Sequence, residues 1–118
     1  MNKRALGGRF EELAADHLIK AGLVILERNY RCRIGEIDLI ARDEAGTIVF
    51  AEVKYRKSAS FGQPYEAVDL RKRKTICRVA DHYRLCHGGL KGHDFRFDVI
   101  SILGEELTWF QNAFPYML

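Results

Sequence analysis

Three residues near the middle of the chain have types and a spacing that could do chemistry: Asp38, Glu52 and Lys54. They interrupt residues 35–40 and 49–54, two apolar runs with strand character. A pair of carboxylates with a lysine beside it is the set of groups that metal-assisted cleavage of a phosphodiester needs. The residues between the two runs decide whether a fold could bring these side chains together.

Those intervening residues carry a turn signal. If residues 44–46 form the loop, Gly46 falls where a three-residue hairpin needs left-handed backbone. Asp38 then lies directly opposite Glu52, with Cβ atoms about 5 Å apart, and Lys54 shares the strand face of Glu52. Opposed carboxylates repel each other, so this register predicts a cation between them. An all-oxygen ligand set suits Mg²⁺ or Mn²⁺.

The elements that must position this hairpin are predicted in the order α-β-β-β-α-β-β. The predicted bounds are 8–21 for the first helix, 23–30 for a strand, 35–55 for the hairpin, 66 or 68 to 86 for the second helix, and 95–103 and 107–114 for the last strands. This order favours an α/β layer sandwich in which helices cover a mixed sheet.

Apolar spacing predicts which faces are buried. The first helix has an apolar face formed by Phe10, Leu13, Ala14, Leu18 and Ala21, and the second has a stripe formed by Val68, Ile76, Val79, Ala80 and Tyr83. The odd-numbered hairpin residues form an apolar sheet face: Ile37, Leu39, Ala41, Val49, Ala51 and Val53. Glu11 lies one position off the first face, whereas Lys72 lies on the second stripe.

Bulk properties indicate one folded domain over residues 1–118. The chain is 47% hydrophobic and has a formal net charge of +3, and no apolar run reaches the length that spans a bilayer. Its three cysteines are odd in number and form no disulfide or metal-ligand pattern. We therefore expect a cytoplasmic protein.

The positive charge is concentrated in one part of the chain. Residues 54–84 contain nine basic and three acidic side chains, which predicts binding of a polyanion such as nucleic acid. The candidate contacts are Arg56, Lys57, Arg71, Lys72, Arg73, Lys74 and Arg78. Tyr55, Phe61 and Tyr65 flank the basic region and could stack on unpaired bases. The alternative interpretation is a solvated helix face.

Longer motifs resemble one family. They are Gly35-Glu36-Ile37-Asp38-Leu39-Ile40-Ala41, Phe50-Ala51-Glu52-Val53-Lys54 and Arg96-Phe97-Asp98-Val99. In these the chain resembles the YraN-like family of uncharacterised proteins, which is assigned to the restriction-endonuclease-like, or PD-(D/E)XK, superfamily near the Holliday-junction resolvase branch. The resemblance implies a restriction-endonuclease-like fold with a mixed central sheet of about five strands flanked by helices.

The same resemblance implies roles for individual residues. Asp38 and Glu52 would hold the metal with the Val53 carbonyl, and Lys54 would orient or activate the attacking water. Glu11 matches the additional acid of the superfamily and would act directly or through water. The preceding residue, commonly Gly in the family, is Phe10 here, which could alter how Glu11 approaches the site.

Several residues have a structural interpretation beside the functional one. Lys54 and Arg56 could simply neutralise the acids. Glu36 is expected to face Lys54 as a salt-bridge partner, with a direct ligand role as the alternative. Arg96 is expected to pair with Asp98, for which a direct catalytic role is the alternative. Lys72 could stabilise the acids, reach the scissile phosphate, or extend its ammonium group to solvent.

Three functions follow from these observations. The first is a metal-dependent endonuclease acting on structured or branched DNA, with products that carry 5′-phosphate and 3′-hydroxyl ends by resemblance to the superfamily. The second is a non-catalytic nucleic-acid-binding module on the same scaffold. The third is an interaction protein of a DNA-processing assembly that docks through the aromatic residues of 109–116. A homodimer is left open.

Overall fold

The structure, a computed structural model, describes residues 3–56, 68–87 and 92–118, with side chains from Gly8 onward. The elements are α1 (Lys3–Lys20), β1 (Val24–Arg31), β2 (Glu36–Arg42), β3 (Ile48–Arg56), α2 (Leu70–Cys86), β4 (Phe95–Leu103) and β5 (Glu106–Phe114). The predicted order of helices and strands is confirmed. Residues 57–67, which follow the hairpin, and residues 88–91, which follow α2, lie outside the described residues.

The central hairpin forms with the predicted register. Ile40 lies opposite Phe50 in the antiparallel β2–β3 ladder, and Gly46 has a φ of 90°, the left-handed backbone that its position requires. Asp43 closes the loop, because its Oδ1 accepts a hydrogen bond from the Thr47 backbone N–H at 2.9 Å. The turn chemistry therefore fixes which side chains meet across the two strands.

The five strands form one sheet in the order β1-β2-β3-β4-β5. All neighbours are antiparallel except β3 and β4, which are parallel. Parallel strands need a long crossover connection, and α2 lies in that connection. The sheet is mixed, as predicted, and α2 is carried back over the face that bears Phe50.

Helix α1 covers one face of the sheet through small residues. Ala14, Ala15 and Leu18 are fully buried and pack with hairpin residues that include Leu39, Ala41, Val49 and Ala51. The predicted apolar face was wrong in part: Leu13 is 45% exposed and Ala21 is exposed. Alanines on both surfaces let the helix approach the sheet closely, and this rotates Leu13 away from it.

Helix α2 covers the opposite face. Four of the five residues predicted for its stripe lie in the helix and are buried, and they pack with Ile40, Ile48 and Phe50. The fifth, Val68, is buried in the same cluster but precedes the helix, which begins later than predicted, after the N-cap Asp69. Ile37 also packs in this cluster and not with Leu39, which corrects the predicted odd-numbered face. The residue opposite Ile37 in the β1–β2 ladder is Tyr30, which packs against the same cluster.

The sheet's last strand departs from regular pairing near its end. The register of β4 and β5 shifts between Phe97 and Val99, and Asn112 has a φ of 51°. Asparagine tolerates this left-handed conformation better than most residues. Among the described helices, none is long and apolar enough to cross a membrane.

Candidate metal site and its surroundings

The acid pair forms at the end of the β2–β3 ladder. Paired residues run from Arg42 opposite Ile48 to Leu39 opposite Ala51. Beyond that point Oδ2 of Asp38 accepts a hydrogen bond from the Val53 N–H at 2.8 Å. The Asp38 carboxylate thus accepts the Val53 N–H at the point where the backbone pairing of β2 and β3 ends.

Both acids of the pair are removed from solvent. Asp38 is 9% exposed and Glu52 is 5% exposed. Burial, then a hydrogen bond with Asp38 and the charge of Asp38, raises the pKa of Glu52 to about 9, while the ammonium groups of Lys72 and Lys54 oppose the rise. In the metal-free protein, burial and the neighbouring carboxylate therefore both favour the protonated form of Glu52.

One oxygen of this pair is left over. Oε2 of Glu52 is buried and has no hydrogen-bond partner within the part of the chain that the structure describes. Its nearest described cation is Nζ of Lys72, at 3.6 Å, which is beyond hydrogen-bonding distance. A buried carboxylate oxygen without a partner is costly, so the position favours an additional cation.

Glu11 reaches the pair from helix α1. It precedes Ala14, Ala15 and Leu18 by three, four and seven positions, so it shares their buried helical face. The prediction that it lies off the apolar face was wrong, because that face had been centred on Leu13. Burial and then the charge of Asp38 raise the pKa of Glu11, and the two carboxyl groups hydrogen-bond to each other.

Asn29 is a partner of Glu11 that sequence reasoning missed. A side-chain hydrogen bond from Asn29 opposes the rise in the pKa of Glu11. The backbone of Asn29 has a φ of 53° inside β1, which turns this strand locally. An asparagine within a β-rich run was the available signal, since Asn accepts left-handed backbone.

Helix α2 brings Lys72 to the other side of the pair. The first turns of α2 pack closely against the backbone of Gly35, where an added Cβ would lie 3.0 Å from Cγ2 of Thr75. Thr75 is three residues beyond Lys72, so both lie on the same helical face. Asp69 caps the helix, because its Oδ1 accepts the Lys72 N–H at 2.8 Å. The predicted inward position of Lys72 is confirmed.

Lys54 lies beside the pair on the same strand face as Glu52. It is half-buried and is aligned with Ser101 in the parallel β3–β4 ladder. The predicted Glu36–Lys54 pair was wrong: Glu36 bonds Arg31 at 3.2 Å. The reason is that the β2–β3 ladder ends at Leu39, and Glu36 pairs with β1 instead.

Asp38 and Glu52 supply only part of the ligand shell that a divalent ion needs. Among the described residues, no three or more His, Cys, Asp or Glu side chains are arranged to hold a metal ion by themselves. One or two carboxylates with the remaining positions left to water and backbone oxygens are what Mg²⁺ accepts. Asp38 and the partnerless oxygen of Glu52 meet that requirement, and the Val53 carbonyl remains a predicted ligand.

The predicted nucleic-acid contacts divide into two groups. Arg73 and Arg78 hold the C-terminal segment: Arg73 lies over the Phe114 ring at 5.4 Å, and Arg78 donates to the Met117 carbonyl at 2.8 Å. Arg71 and Lys74 are exposed on α2, Arg56 is half-buried at the end of β3, and Lys57 lies outside the described residues. Lys72 is half-buried beside the acid pair, so among the described members of this set Arg71 and Lys74 are the most open to a polyanion.

Asp98 belongs to a structural network. It is fully buried and accepts hydrogen bonds from Arg96 at 3.0 Å, from the Trp109 indole at 2.8 Å and from the Asn112 N–H at 2.9 Å. The expected Arg96–Asp98 pair is confirmed. Arg96 also bridges Asp43 of the hairpin turn at 3.2 Å. This carboxylate stabilises the irregular end of β5.

The aromatic residues are mostly committed to packing. Phe114 is buried in the α2 cluster, and the Tyr116 hydroxyl donates to Asp81 at 3.0 Å. These contacts favour a core role for the C-terminal run over a docking surface. Tyr55 stacks on Phe10 with ring centroids 3.9 Å apart. Phe61 and Tyr65 lie outside the described residues.

With this fold and acid cluster in place, comparison defines the class of protein. The profile of the uncharacterised protein family UPF0102 matches residues 10–102. A UPF0102 protein of Lachnoclostridium phytofermentans is 45% identical over 97% of this chain and 96% of its own length. One of Fusobacterium nucleatum is 44% identical over 95% and 92%. The chain belongs to the UPF0102 family, which confirms the family predicted from the motifs.

Among solved structures, one similar chain is a repair endonuclease from Pyrococcus abyssi. The TM-score is 0.49 at 20% sequence identity, over 87% of this chain. The chain spans 38% of the length of that endonuclease.

Proposed function

We propose that this protein is a metal-dependent endonuclease that hydrolyses phosphodiester bonds in structured or branched DNA. One observation carries the proposal: in the buried pair of Asp38 and Glu52, Oε2 of Glu52 has no hydrogen-bond partner among the described residues, at a strand end that Lys54 and Lys72 both approach. The exposed basic residues of α2 support a nucleic-acid substrate.

Each residue of the cluster has a role in this proposal. Asp38 and Glu52, with the Val53 carbonyl, would hold Mg²⁺ or Mn²⁺, and Glu11 would bind the ion directly or through water. When bound, the ion would supply Lewis-acid stabilisation of the charge that develops on the phosphoryl group. Glu52 must release its proton for this, so binding is favoured as pH rises.

Lys54 and Lys72 act on the substrate side. Lys54 orients the attacking water, whose oxygen forms a new bond to phosphorus while the bond to the 3′ oxygen breaks. The attacking water releases one proton to bulk water and the leaving 3′ oxygen takes one up from bulk water, which gives 5′-phosphate and 3′-hydroxyl ends. Lys72 approaches the acid pair from the side opposite Glu11. It is placed to contact a phosphate oxygen, where a positive charge stabilises the transition state.

Cleavage of a defined DNA panel tests the proposal. Duplex, single-stranded, flap and four-way DNA would be incubated with the wild-type protein in Mn²⁺, beside Asp38→Asn as the matched inactive variant. We expect cleavage by the wild type that Asp38→Asn abolishes. Cleavage that survives Asp38→Asn would contradict the assigned site.

A non-catalytic nucleic-acid-binding module is the second candidate. The observation that favours it is that the ammonium group of Lys72 lies 3.6 Å from Oε2 of Glu52, so a positive charge of the protein already stands beside the acid pair. That module would bind the same panel without cutting it and would need no metal. A homodimer and a cytoplasmic location stay predictions of the sequence.

A further inference from the structure

Two neighbouring strands change which face of the sheet their side chains occupy, just beyond the end of the β2–β3 ladder. In β2, Leu39 packs with α1 whereas Ile37 packs with α2, although residues two apart in a strand normally share a face. In β1, the Arg28 guanidinium donates a hydrogen bond to α1 at 3.0 Å, whereas the Tyr30 hydroxyl bonds α2 at 2.7 Å. Both strands therefore reverse at the same level.

The reversal falls on Asn29 of β1 and Asp38 of β2. The β1–β2 ladder pairs position 28 with 39 and position 30 with 37, so Asn29 and Asp38 lie opposite each other between these pairs. Asn29 has a φ of 53°, and this left-handed backbone explains why β1 changes faces there. Conformations of this kind are concentrated at functional sites, where the surrounding structure maintains them.

The Asn29 side chain meets Glu11, the acid that α1 contributes beside Asp38. It hydrogen-bonds to the Glu11 carboxylate in the sense that favours the charged form, so the amide N–H is the donor, and Glu11 in turn bonds Asp38. The next residue of α1 is tied to the preceding residue of β1, because Arg28 donates to Glu12 at 3.0 Å. Two neighbouring contacts between α1 and β1 thus hold Glu11 at the acid pair.

The chain offers a matched case in which a left-handed asparagine contacts an acid differently. Asn29 and Asn112 are the non-glycine residues with positive φ in the part of the chain that the structure describes, and both are exposed. Asn112 has a φ of 51°, and its backbone N–H donates to Asp98 at 2.9 Å. At Asn29 the side chain makes the contact, so the backbone conformation alone does not account for it.

We propose that Asn29 is a positioning residue of the divalent-metal site, whose carboxamide holds the Glu11 carboxylate toward Asp38, where the ion would bind. The proposal rests on the proposed function and deepens it, because it assigns the orientation of Glu11 to a residue of the edge strand. Asn29 acts through Glu11, so its carboxamide should matter for metal binding only while Glu11 is present.

Calorimetric titration of Asn29→Gly with Mn²⁺ measures what the carboxamide contributes. Glycine adopts left-handed backbone readily, so this variant removes the side chain and keeps the conformation of β1. We expect the affinity for Mn²⁺ to fall about tenfold, since residues that orient a metal ligand typically contribute that much or more. Asn112→Gly is the matched control and should bind Mn²⁺ as the wild type does, with circular dichroism reporting the fold of both variants.

A double-mutant cycle with Glu11→Ala shows whether Asn29 acts through Glu11. Glu11→Ala should weaken Mn²⁺ binding by itself. Adding Asn29→Gly to it should change the affinity less than about twofold, because the group that Asn29 positions is already gone, and residues that act together are not additive. A residue that only supported the fold would cause the same loss in both backgrounds.

The outcomes separate this inference from the function beneath it. Wild-type affinity for Mn²⁺ in Asn29→Gly would overturn the positioning role and leave the metal site standing. An equal loss from Asn29→Gly with and without Glu11, or the same loss in Asn112→Gly, would also overturn it. A wild-type protein that binds no Mn²⁺ would overturn the metal site of the proposed function and this inference with it.

Discussion

At the scale of single residues, Glu52 and Lys54 share a strand face but have different surroundings. Glu52 is buried against Asp38, whereas Lys54 is half-buried beside it. We expect Lys54→Ala to lose cleavage by about a hundredfold or more while keeping metal and DNA binding, measured by calorimetry and anisotropy. Glu52→Gln should lose metal and cleavage together. Full activity in Lys54→Ala would move the catalytic role to Lys72.

The proton on Glu52 makes the metal-free protein sensitive to pH. The pKa of Glu52 is raised in the folded state from its ordinary 4.5 to about 9, so the native state binds more protons between these values than the unfolded state. Its contribution to stability is present below about pH 4.5 and is lost as pH rises towards 9, by up to about 1.4 kcal/mol per pH unit.

Urea denaturation of the metal-free protein from pH 5 to pH 9 checks this prediction. The free energy of unfolding should fall with pH in the wild type and fall less steeply in Glu52→Gln. Glu106→Gln serves as the control, because Glu106 is exposed at the start of β5. A wild-type slope that Glu52→Gln leaves unchanged would show that another group titrates.

At the scale of elements, Asp98 is a structural anchor of β5. Asp98→Ala leaves the half-buried Arg96 guanidinium, the Trp109 indole and the Asn112 N–H without their shared acceptor. Breaking one partner of a buried charged network costs about 3–5 kcal/mol, so thermal unfolding should shift strongly. Metal affinity of the folded fraction should stay at the wild-type value, and its loss would assign Asp98 to the site.

The exposed basic residues of α2 should set affinity without setting sequence preference. Neutralising Arg71 and Lys74 to Gln removes two phosphate contacts, which position the protein and do not specify bases. We expect weaker binding to unrelated duplexes alike and a salt slope reduced by about 1.8. Thermal unfolding should be little changed, whereas Arg78→Gln should destabilise the fold, because Arg78 holds the C-terminal segment. A sequence-specific loss would contradict the prediction.

At these two scales the sequence predicts what local chemistry determines. Gly46 fixes the hairpin register and so the meeting of Asp38 with Glu52, and periodicity on α2 places Lys72 inward. The sequence pattern misplaces Glu11, because hydrophobicity alone assigns the more apolar Leu13 to the buried face of α1 ahead of the alanines that actually pack there. The three donors of Asp98 come together only through the bulge of β5, a tertiary feature with no local signal.

At the scale of the whole molecule, the helices on the two faces of the sheet both supply residues to one end of the hairpin. Helix α1 contributes Glu11 and α2 contributes Lys72, while the β2–β3 ladder ends at Leu39. Neither helix alone completes the cluster, so the layered fold itself is what assembles it. Metal bound there should stabilise the native state by mass action.

Calorimetric titration of the purified protein with Mn²⁺ at pH 7.5 tests the central claim, that the buried acid pair is a divalent-metal site. We expect one site in the wild type, with a rise in melting temperature at millimolar Mn²⁺. Asp38→Asn should keep the shape of the side chain and bind no metal. The control is Asp94→Asn, since Asp94 is exposed, and it should match the wild type. A wild type that shows neither heat nor a melting shift, or an Asp38→Asn protein that binds as tightly, would contradict the account.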